Sequence, residues 1–197
     1  MKDNKHYFLN EYLGRLSQTL NPYLRRKNKI IDDSFEDMKN KINYSLDDAI
    51  SYSNLIVYRI DDPYEGLSFK LFSLWFIRRI DAVVEFPVFL STTLDNEKNF
   101  PKQSILFKIN TNSNSNGKLI SSIATNYCPE GEVLFKSNTK FRIDAIDMKN
   151  ELIILIELDS SCKSDYLLED GFYLNEPEIR ETIPIRKNKI IDPDFLI

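Results

Sequence analysis

The 197-residue sequence predicts an α+β fold with helices in its first fifty residues and strands after them. Two observations carry this prediction. Apolar side chains before Asn54 recur at three- and four-residue steps, which is the spacing of one helix face. After Asn54, short β-branched and aromatic runs alternate with polar breaks, as strands and loops do. Because the strands are not regularly interleaved with helices, a parallel doubly wound sheet is disfavoured.

The N-terminal part is predicted to contain three helices. Leucines at three- and four-residue steps place the first over about residues 5–20, and Asn21-Pro22 is expected to end it. A second helix is predicted to begin at an N-cap Ser34, and a third at Ser45. Their core-facing side chains are expected to be Phe35, Met38, Ile42, Leu46, Ala49 and Ile50.

The remaining elements follow in order along the chain. Residues 55–59 form a buried-strand pattern that Asp61-Asp62-Pro63 is predicted to break, and residues 67–80 have helical spacing. That helix is expected to offer Leu71, Leu74, Trp75 and Ile80 to the core. Further strands are predicted at 83–86, 88–93, 105–109, 133–135, 141–146 and 152–158, with a polar loop at 110–117. The last strand is almost wholly aliphatic, which suits a central position.

Charge and composition exclude several classes of function. Thirty acidic and 26 basic residues give a net charge of −4, which disfavours nucleic acid as a partner. Cys128 and Cys162 are too few for a disulfide framework, and the only histidine, His6, argues against a metal centre. No apolar run approaches the roughly 20 residues that span a bilayer, and the N-terminus is charged. We therefore expect a chain that is cytoplasmic as synthesised, with export that needs no cleaved signal left open.

Three short segments carry the candidate chemistry. Tyr58-Arg59 ends a predicted strand, Ser91-Thr92-Thr93 ends another, and Glu130-Gly131-Glu132 precedes a third. Each has a plain structural explanation when it is taken alone. An arginine at a strand end is usually a solvated or ion-paired residue, threonines favour strands, and Glu-Gly-Glu is typical of an exposed turn. The purely structural interpretation of all three requires three coincidences.

In this order the segments resemble the arginine, Ser-Thr-Ser and Glu-x-Glu signature of arginine-specific mono-ADP-ribosyltransferases, over about residues 49–158. The resemblance implies two packed antiparallel sheets with flanking helices and NAD in the cleft between them. It also implies transfer of ADP-ribose from NAD to an arginine of a protein target, without a metal. The chain departs from the family pattern at Ile60, where glycine is usual, and at Thr93, where serine is usual.

The resemblance assigns a role to each site residue. Glu132 would stabilise the oxocarbenium-like centre that forms when the nicotinamide–ribose bond breaks, and Ser91 would fix the rotamer of Glu132. Arg59 would bind the pyrophosphate or adenosine ribose of NAD, and Glu130 would orient the target guanidinium and accept its proton. The remaining assignments are Thr92, Thr93 and Phe100 on the cofactor and Tyr127 on the target.

Several alternatives stay open at this stage. The same fold could hydrolyse NAD with water as the acceptor, or bind a partner or nucleotide without catalysis. We predict an N-terminal helical subdomain over residues 1–53, an NAD-binding core over 54–160 and an extension over 161–197. We expect a monomer, with a cognate antagonist protein if the chain is a toxin. The string RKNKIID occurs at 26–32 and again at 186–192, either by chance or as two docking segments.

Overall fold

The structure is a computed structural model that describes residues 5–26, 30–61, 68–94, 105–124, 131–169 and 187–191. It confirms the α+β class, with helices packed beside a curled sheet. The helical segments are α1 (Tyr7–Glu11), a π-helical turn (Tyr12–Leu16), α2 (Ser17–Arg25), α3 (Asp33–Leu46) and α4 (Phe69–Ile77). Short 3₁₀ turns cover Ile120–Ser122 and Lys187–Lys189. Within the described residues, no helix is both long and apolar enough to span a bilayer.

The predicted end of the first helix at Asn21-Pro22 is wrong, because α2 continues through Pro22 to Arg25. A proline inside a helix costs about 3 kcal/mol. The residues around it bury Leu20, Tyr23 and Leu24 almost completely, and each such side chain contributes about 1.5–3 kcal/mol. The burial of these three side chains therefore outweighs the local cost of the proline.

The second predicted helix corresponds to α3, whereas the third does not form, because α3 ends at Leu46 and a turn follows it. The N-cap of α3 is Asp32 and not Ser34, since the Asp32 carboxylate accepts hydrogen bonds from the Ser34 N–H (2.9 Å) and hydroxyl (2.6 Å). Ser45 caps nothing, because it lies inside α3 and donates to the carbonyls of Lys5 and Lys41. Leu46 and Ala49 are buried as expected, whereas Ile50 is exposed.

Helix α4 is shorter than predicted; Trp75 is buried and Leu74 and Ile80 pack against the core as expected, whereas Leu71 does not. Ser68 caps it by accepting from the Leu71 N–H at 3.4 Å, and Leu71 is 57% exposed. The core-facing positions are Phe72, Trp75 and Phe76, which share a face through i, i+3 and i+4 spacing. Leu71 lies off this aromatic face, which explains why the prediction for it is wrong.

Ten strands are present in the described residues. They are β1 (Ile56–Asp61), β2 (Val83–Phe86), β3 (Leu90–Thr93), β4 (Ile105–Asn110), β5 (Gly117–Leu119), β6 (Glu132–Phe135), β7 (Thr139–Asp147), β8 (Leu152–Glu157), β9 (Tyr166–Leu167) and β10 (Ile190–Ile191). β1 extends further than predicted, because Asp61, where a break was expected, is its last residue and pairs with Ile105. β8 is central, as its aliphatic sequence predicts, and lies between β4 and β7.

The strands are hydrogen-bonded in one continuous path, β5-β6-β3-β1-β4-β8-β7-β2-β9, with β10 beside β7. Most neighbouring pairs are antiparallel, and β4–β8, β2–β9 and β7–β10 are parallel. The path curls, so that strands far apart in it face each other. Phe135 of β6 contacts Phe141 of β7 with ring centroids 5.4 Å apart, although four strands separate β6 from β7 along the path. The two packed layers are therefore the two ends of one curled sheet.

Two apolar clusters hold the fold together. The central core lies inside the curled sheet and under α4, and its large side chains include Phe72, Trp75, Phe76, Phe86, Phe107, Phe135 and Phe141. The helix-facing cluster joins the N-terminal helices to the sheet. It comprises Leu9, Tyr12, Leu20, Tyr23, Leu24, Ile42, Leu46, Val88, Phe89, Ile120 and Leu134. The helices thus pack directly on the segment that precedes β3 and Ser91.

The two RKNKIID copies have different surroundings. In the second copy Ile190 is buried beside β7, and Lys189 ion-pairs with Asp81 (2.7 Å) and Asp144 (3.2 Å). In the first copy Ile30 and Ile31 are exposed. One sequence therefore takes two environments, so the hypothesis that both copies dock on a common surface gains no support from the fold.

Glu157 organises the polar loop at 110–117. Its carboxylate is 1% exposed and accepts from the N–H groups of Asn112 (3.2 Å) and Asn116 (2.7 Å). Burial raises the pKa of Glu157 above the ordinary value of 4.5, while hydrogen bonds from Ser115 and the two amides oppose the shift. A raised folded-state pKa adds stability that is complete below pH 4.5 and is lost as pH rises through the folded-state value.

We predict that Glu157→Gln removes this pH dependence. As pH rises from 4.5, the unfolding free energy of wild type should fall relative to that of Glu157→Gln, by at most about 1.4 kcal/mol per pH unit. Urea unfolding at several pH values between 4.5 and 8 measures the difference. Glu151→Gln, an exposed acid in a turn, is the matched control. A constant or growing difference would contradict the prediction.

Candidate active site

Ser91 and Glu132 meet on two neighbouring antiparallel strands. The register of β3 and β6 pairs Thr93 with Glu132 and Ser91 with Leu134. Ser91 and Glu132 are therefore diagonal neighbours on one face of the sheet. The Ser91 hydroxyl donates a hydrogen bond of 2.7 Å to Oε1 of Glu132. Oε2 of Glu132 takes no part in this hydrogen bond. The Ser91–Glu132 pair lies at an exposed position of the sheet.

Arg59 approaches the same two strands from β1. Its Nη1 donates to the carbonyl of Ser91 at 3.0 Å, and its Nη2 lies 2.5 Å from Oδ1 of Asp61. The side chain is only 15% exposed, and its buried Nε has no hydrogen-bond partner among the residues that the structure describes. Contacts therefore run from Glu132 through Ser91 to Arg59 and Asp61.

The other described residues of the motifs shape the strands around this pair. Thr92 is buried, and its hydroxyl donates to the carbonyl of Val133 at 2.6 Å, so this hydroxyl is used within the sheet. Thr93 pairs with Glu132 on one side and with Tyr58 on the other. Gly131 has φ +75°, where side chains are strained, and its carbonyl accepts from the Leu94 N–H at 3.2 Å. This turn sets the direction in which the chain enters β6.

Three predicted site residues lie outside the described part of the chain. They are Phe100, which follows β3 in the sequence, and Tyr127 and Glu130, which precede β6. Their assignments stay predictions from the sequence. The contacts above thus join one residue of each motif, Arg59, Ser91 and Glu132.

Tyr12 is a neighbour of the site that the sequence did not reveal. Its hydroxyl donates to the carbonyl of Phe89 at 3.4 Å and accepts from Nδ2 of Asn21 at 2.9 Å. Burial raises the pKa of Tyr12 to about 12, with smaller effects from Asn21, Arg59 and Glu132. The phenol is therefore neutral at physiological pH and lies within the electrostatic field of Arg59 and Glu132. Its hydrogen bond joins the π-helical turn to Phe89, the residue just before β3.

A small cavity adjoins the Arg59–Asp61 pair. Its volume is about 30 Å³, and the described residues that line it are Arg25, Asp61, Phe72, Phe86, Phe107, Leu168 and Glu169. Arg25 comes from the end of α2, so the N-terminal helices bring a second guanidinium to this side of the site. No group of three or more potential metal ligands occurs among the residues that the structure describes.

Comparisons with known proteins bear on the family and the fold of the chain. The model of the ADP-ribosyltransferase exoenzyme family matches residues 2–169, which is most of the chain. A comparison with curated proteins gives no match.

Solved structures with a similar fold include bacterial ADP-ribosylating toxins. The Vis toxin of Vibrio splendidus is 19% identical with a TM-score of 0.59, covering 86% of this chain and 81% of its own. The same enzyme, Vis, has also been crystallised with agmatine. The C3 exoenzyme of Clostridium limosum is 21% identical with a TM-score of 0.61, covering 80% of this chain and 85% of its own. The family model matches well over half of the chain, so the chain belongs to the ADP-ribosyltransferase exoenzyme family, whose co-substrate is NAD.

Proposed function

We propose that this protein transfers ADP-ribose from NAD to an arginine side chain of a protein target and releases nicotinamide. The observation that carries the proposal is the 2.7 Å hydrogen bond between Ser91 and Glu132, with Arg59 on the Ser91 carbonyl. A carboxylate held in one rotamer beside a bound ribose stabilises the positive charge that develops as the glycosidic bond breaks. Family membership supports the ADP-ribosyl transfer, and the arginine acceptor is our own inference.

Arg59 is proposed to hold the pyrophosphate of NAD. A guanidinium binds phosphate oxygens through two parallel N–H bonds, which fixes orientation as well as position. The buried Nε of Arg59 has no hydrogen-bond partner in the described part of the chain, which supports a side chain that receives a ligand. Thr92 and Thr93 then keep β3 in register with β6, so that the ribose next to nicotinamide comes to Glu132.

The acceptor step is proposed to depend on the first acid of the Glu-Gly-Glu segment. Free guanidinium has a pKa above 12 and is a poor nucleophile, so a base must take its proton as it attacks. Glu130 has this role in our proposal, Tyr127 packs on the target side chain, and Phe100 covers the nicotinamide. Monomeric action, a cognate antagonist and export without a cleaved signal also stay proposals.

An acceptor assay with agmatine tests the function. Agmatine carries the guanidinium of arginine without a protein, and Vis has been crystallised with it. We expect the purified chain with NAD to give ADP-ribosyl-agmatine, seen by mass spectrometry, together with one nicotinamide per product. Butylamine, which lacks the guanidinium, is the matched control and should give no adduct.

Two results would overturn the arginine assignment. Release of nicotinamide with no agmatine product and no modified protein in a lysate would make the chain a NAD glycohydrolase. Modified lysate peptides that carry ADP-ribose on residues other than arginine would keep the transferase and replace the acceptor.

A further inference from the structure

We propose that Asp61 is a positioning residue, which acts through Arg59 to hold β1 and β3 together beside the candidate active site. The inference rests on the proposed function, because it takes Arg59, Ser91 and Glu132 to be the residues that act on NAD. Asp61 belongs to none of the three sequence motifs.

The pairing between β1 and β3 is short. In the described residues Tyr58 opposite Thr93 is the one registered pair between them, whereas β1 pairs with β4 at six positions and β3 pairs with β6 at four. A continued antiparallel ladder would place Ile60 opposite Ser91, two residues further along each strand. The registered pairing stops before this position. Backbone pairing therefore does not join β1 to β3 at Ser91.

The Arg59 side chain joins the two strands where the backbone pairing ends. Its Nη1 donates to the Ser91 carbonyl at 3.0 Å, and its Nη2 contacts the Asp61 carboxylate. A guanidinium has five N–H donors, so these two contacts leave the Nε–H and further Nη hydrogens for a ligand. One side chain thus connects the strand that carries Asp61 with the strand that carries Ser91.

Asp61 gives Arg59 a fixed second contact. As the last residue of β1, Asp61 pairs with Ile105 of β4, so its backbone is held on the other side of the strand. Val57, Arg59 and Asp61 share one face of β1 through i, i+2 spacing, and Val57 is fully buried in the central core. The Asp61 carboxylate lies 2.5 Å from Nη2, and the two side chains are only 28% and 15% exposed. This partly buried ion pair restricts an arginine side chain that otherwise has many rotamers.

Loss of the Asp61 carboxylate is expected to release Arg59 from Ser91. Without the contact at Nη2 the guanidinium turns away from the Ser91 carbonyl, and the Ser91 hydroxyl loses the fixed position from which it donates to Glu132. The defect is one of geometry, so it should appear in turnover at saturating NAD. Binding should change little, because removal of a negative charge favours an anionic ligand while the greater freedom of Arg59 disfavours it.

Substitutions at Asp61 test the inference in the full chain. Asp61→Ala should lower nicotinamide release at saturating NAD about fivefold, while the Kd for ADP-ribose, measured by calorimetry, changes less than about threefold. Asp61→Asn should keep at least about half of the wild-type rate, because its amide oxygen still accepts from Nη2 of Arg59. Asp37→Ala removes an exposed acid that pairs with Lys41 at 2.6 Å, and as the matched control it should keep the wild-type rate and Kd.

A double variant shows whether Asp61 acts through Arg59. In an Arg59→Ala background, Asp61→Ala should cause no further fall in turnover, because the side chain that Asp61 positions is gone. In the same background Asp61→Ala should tighten ADP-ribose binding about threefold, since an unpaired carboxylate no longer repels the pyrophosphate. A fivefold fall in turnover in both backgrounds would give Asp61 a purely structural role and overturn the inference.

Side-chain NMR of Arg59 separates this inference from the proposed function, because it needs no turnover. We expect separate, slowly exchanging Nη signals in wild type, identified by their absence in Arg59→Lys, and merged signals in Asp61→Ala. Unchanged signals or undiminished turnover in Asp61→Ala, or an Asp61→Asn variant as slow as Asp61→Ala, would overturn the positioning role alone. Wild type that neither releases nicotinamide nor binds ADP-ribose would overturn the proposed function, and the NMR comparison would still decide whether Asp61 holds Arg59.

Discussion

Glu132→Gln is expected to lower the rate of ADP-ribose transfer by at least about 10³-fold, with binding of ADP-ribose changed less than about threefold. The amide keeps an oxygen that accepts from the Ser91 hydroxyl, so the 2.7 Å contact has a substitute. It lacks the negative charge that stabilises the developing positive charge on the ribose, and such electrostatic stabilisation is commonly the largest catalytic contribution. Nicotinamide release under saturating NAD measures the rate, and calorimetry with ADP-ribose measures the binding.

Glu11→Gln is the matched control for this variant. Glu11 lies in the N-terminal helices, where it faces Arg15 at 3.7 Å, and it takes no part in the contacts around Ser91. We expect this variant to keep wild-type turnover. Glu132→Gln with undiminished turnover would show that another group performs the chemistry.

Arg59→Ala is expected to weaken NAD binding about 100-fold. The variant removes the group that we assign to the pyrophosphate and leaves Asp61 as an unpaired acid beside it. It also removes the donor to the Ser91 carbonyl, so turnover at saturating NAD should fall by a further factor of about ten. Arg59→Lys should rescue only part of the loss, because one ammonium cannot reproduce the planar fork that reaches both Ser91 and Asp61.

Arg15→Ala controls for the loss of one positive charge, since the Arg15 side chain is 87% exposed. Its Kd for NAD, measured by calorimetry, should match that of wild type. An Arg59→Ala variant with the same Kd as this control would remove Arg59 from the cofactor site.

The sequence predicts the longer elements and misses the shortest. Runs such as 83–86, 105–109 and 152–158 contain enough alternating or aliphatic residues to identify β2, β4 and β8. Strands β5, β9 and β10 contain three, two and two residues. A period of two cannot be recognised over so few residues, and these strands are fixed by the partners they meet. The course of α2 through Pro22 is likewise decided by tertiary burial.

The candidate site divides in the same way. The order of the three motifs predicts Arg59, Ser91 and Glu132 as site residues, because their residue types suit ADP-ribosyl transfer. Asp61 shares a strand face with Arg59 through i, i+2 spacing, so the alternation of side chains along β1 predicts that the two residues are neighbours. Tyr12 and Arg25 gave no such signal. They reach the site only because the N-terminal helices pack on Val88, Phe89 and Leu134.

No short segment of the chain can form the candidate active site by itself. Its hydrogen bonds span 32 residues from Arg59 to Ser91 and 41 from Ser91 to Glu132, across the three neighbouring strands β1, β3 and β6. Such long-range strand pairings form late in folding, because the entropy cost of closing a long loop comes before the stabilising contacts of the pairing. Enzyme activity should therefore disappear over the same denaturant range as the far-ultraviolet signal, which makes turnover a reporter of global folding.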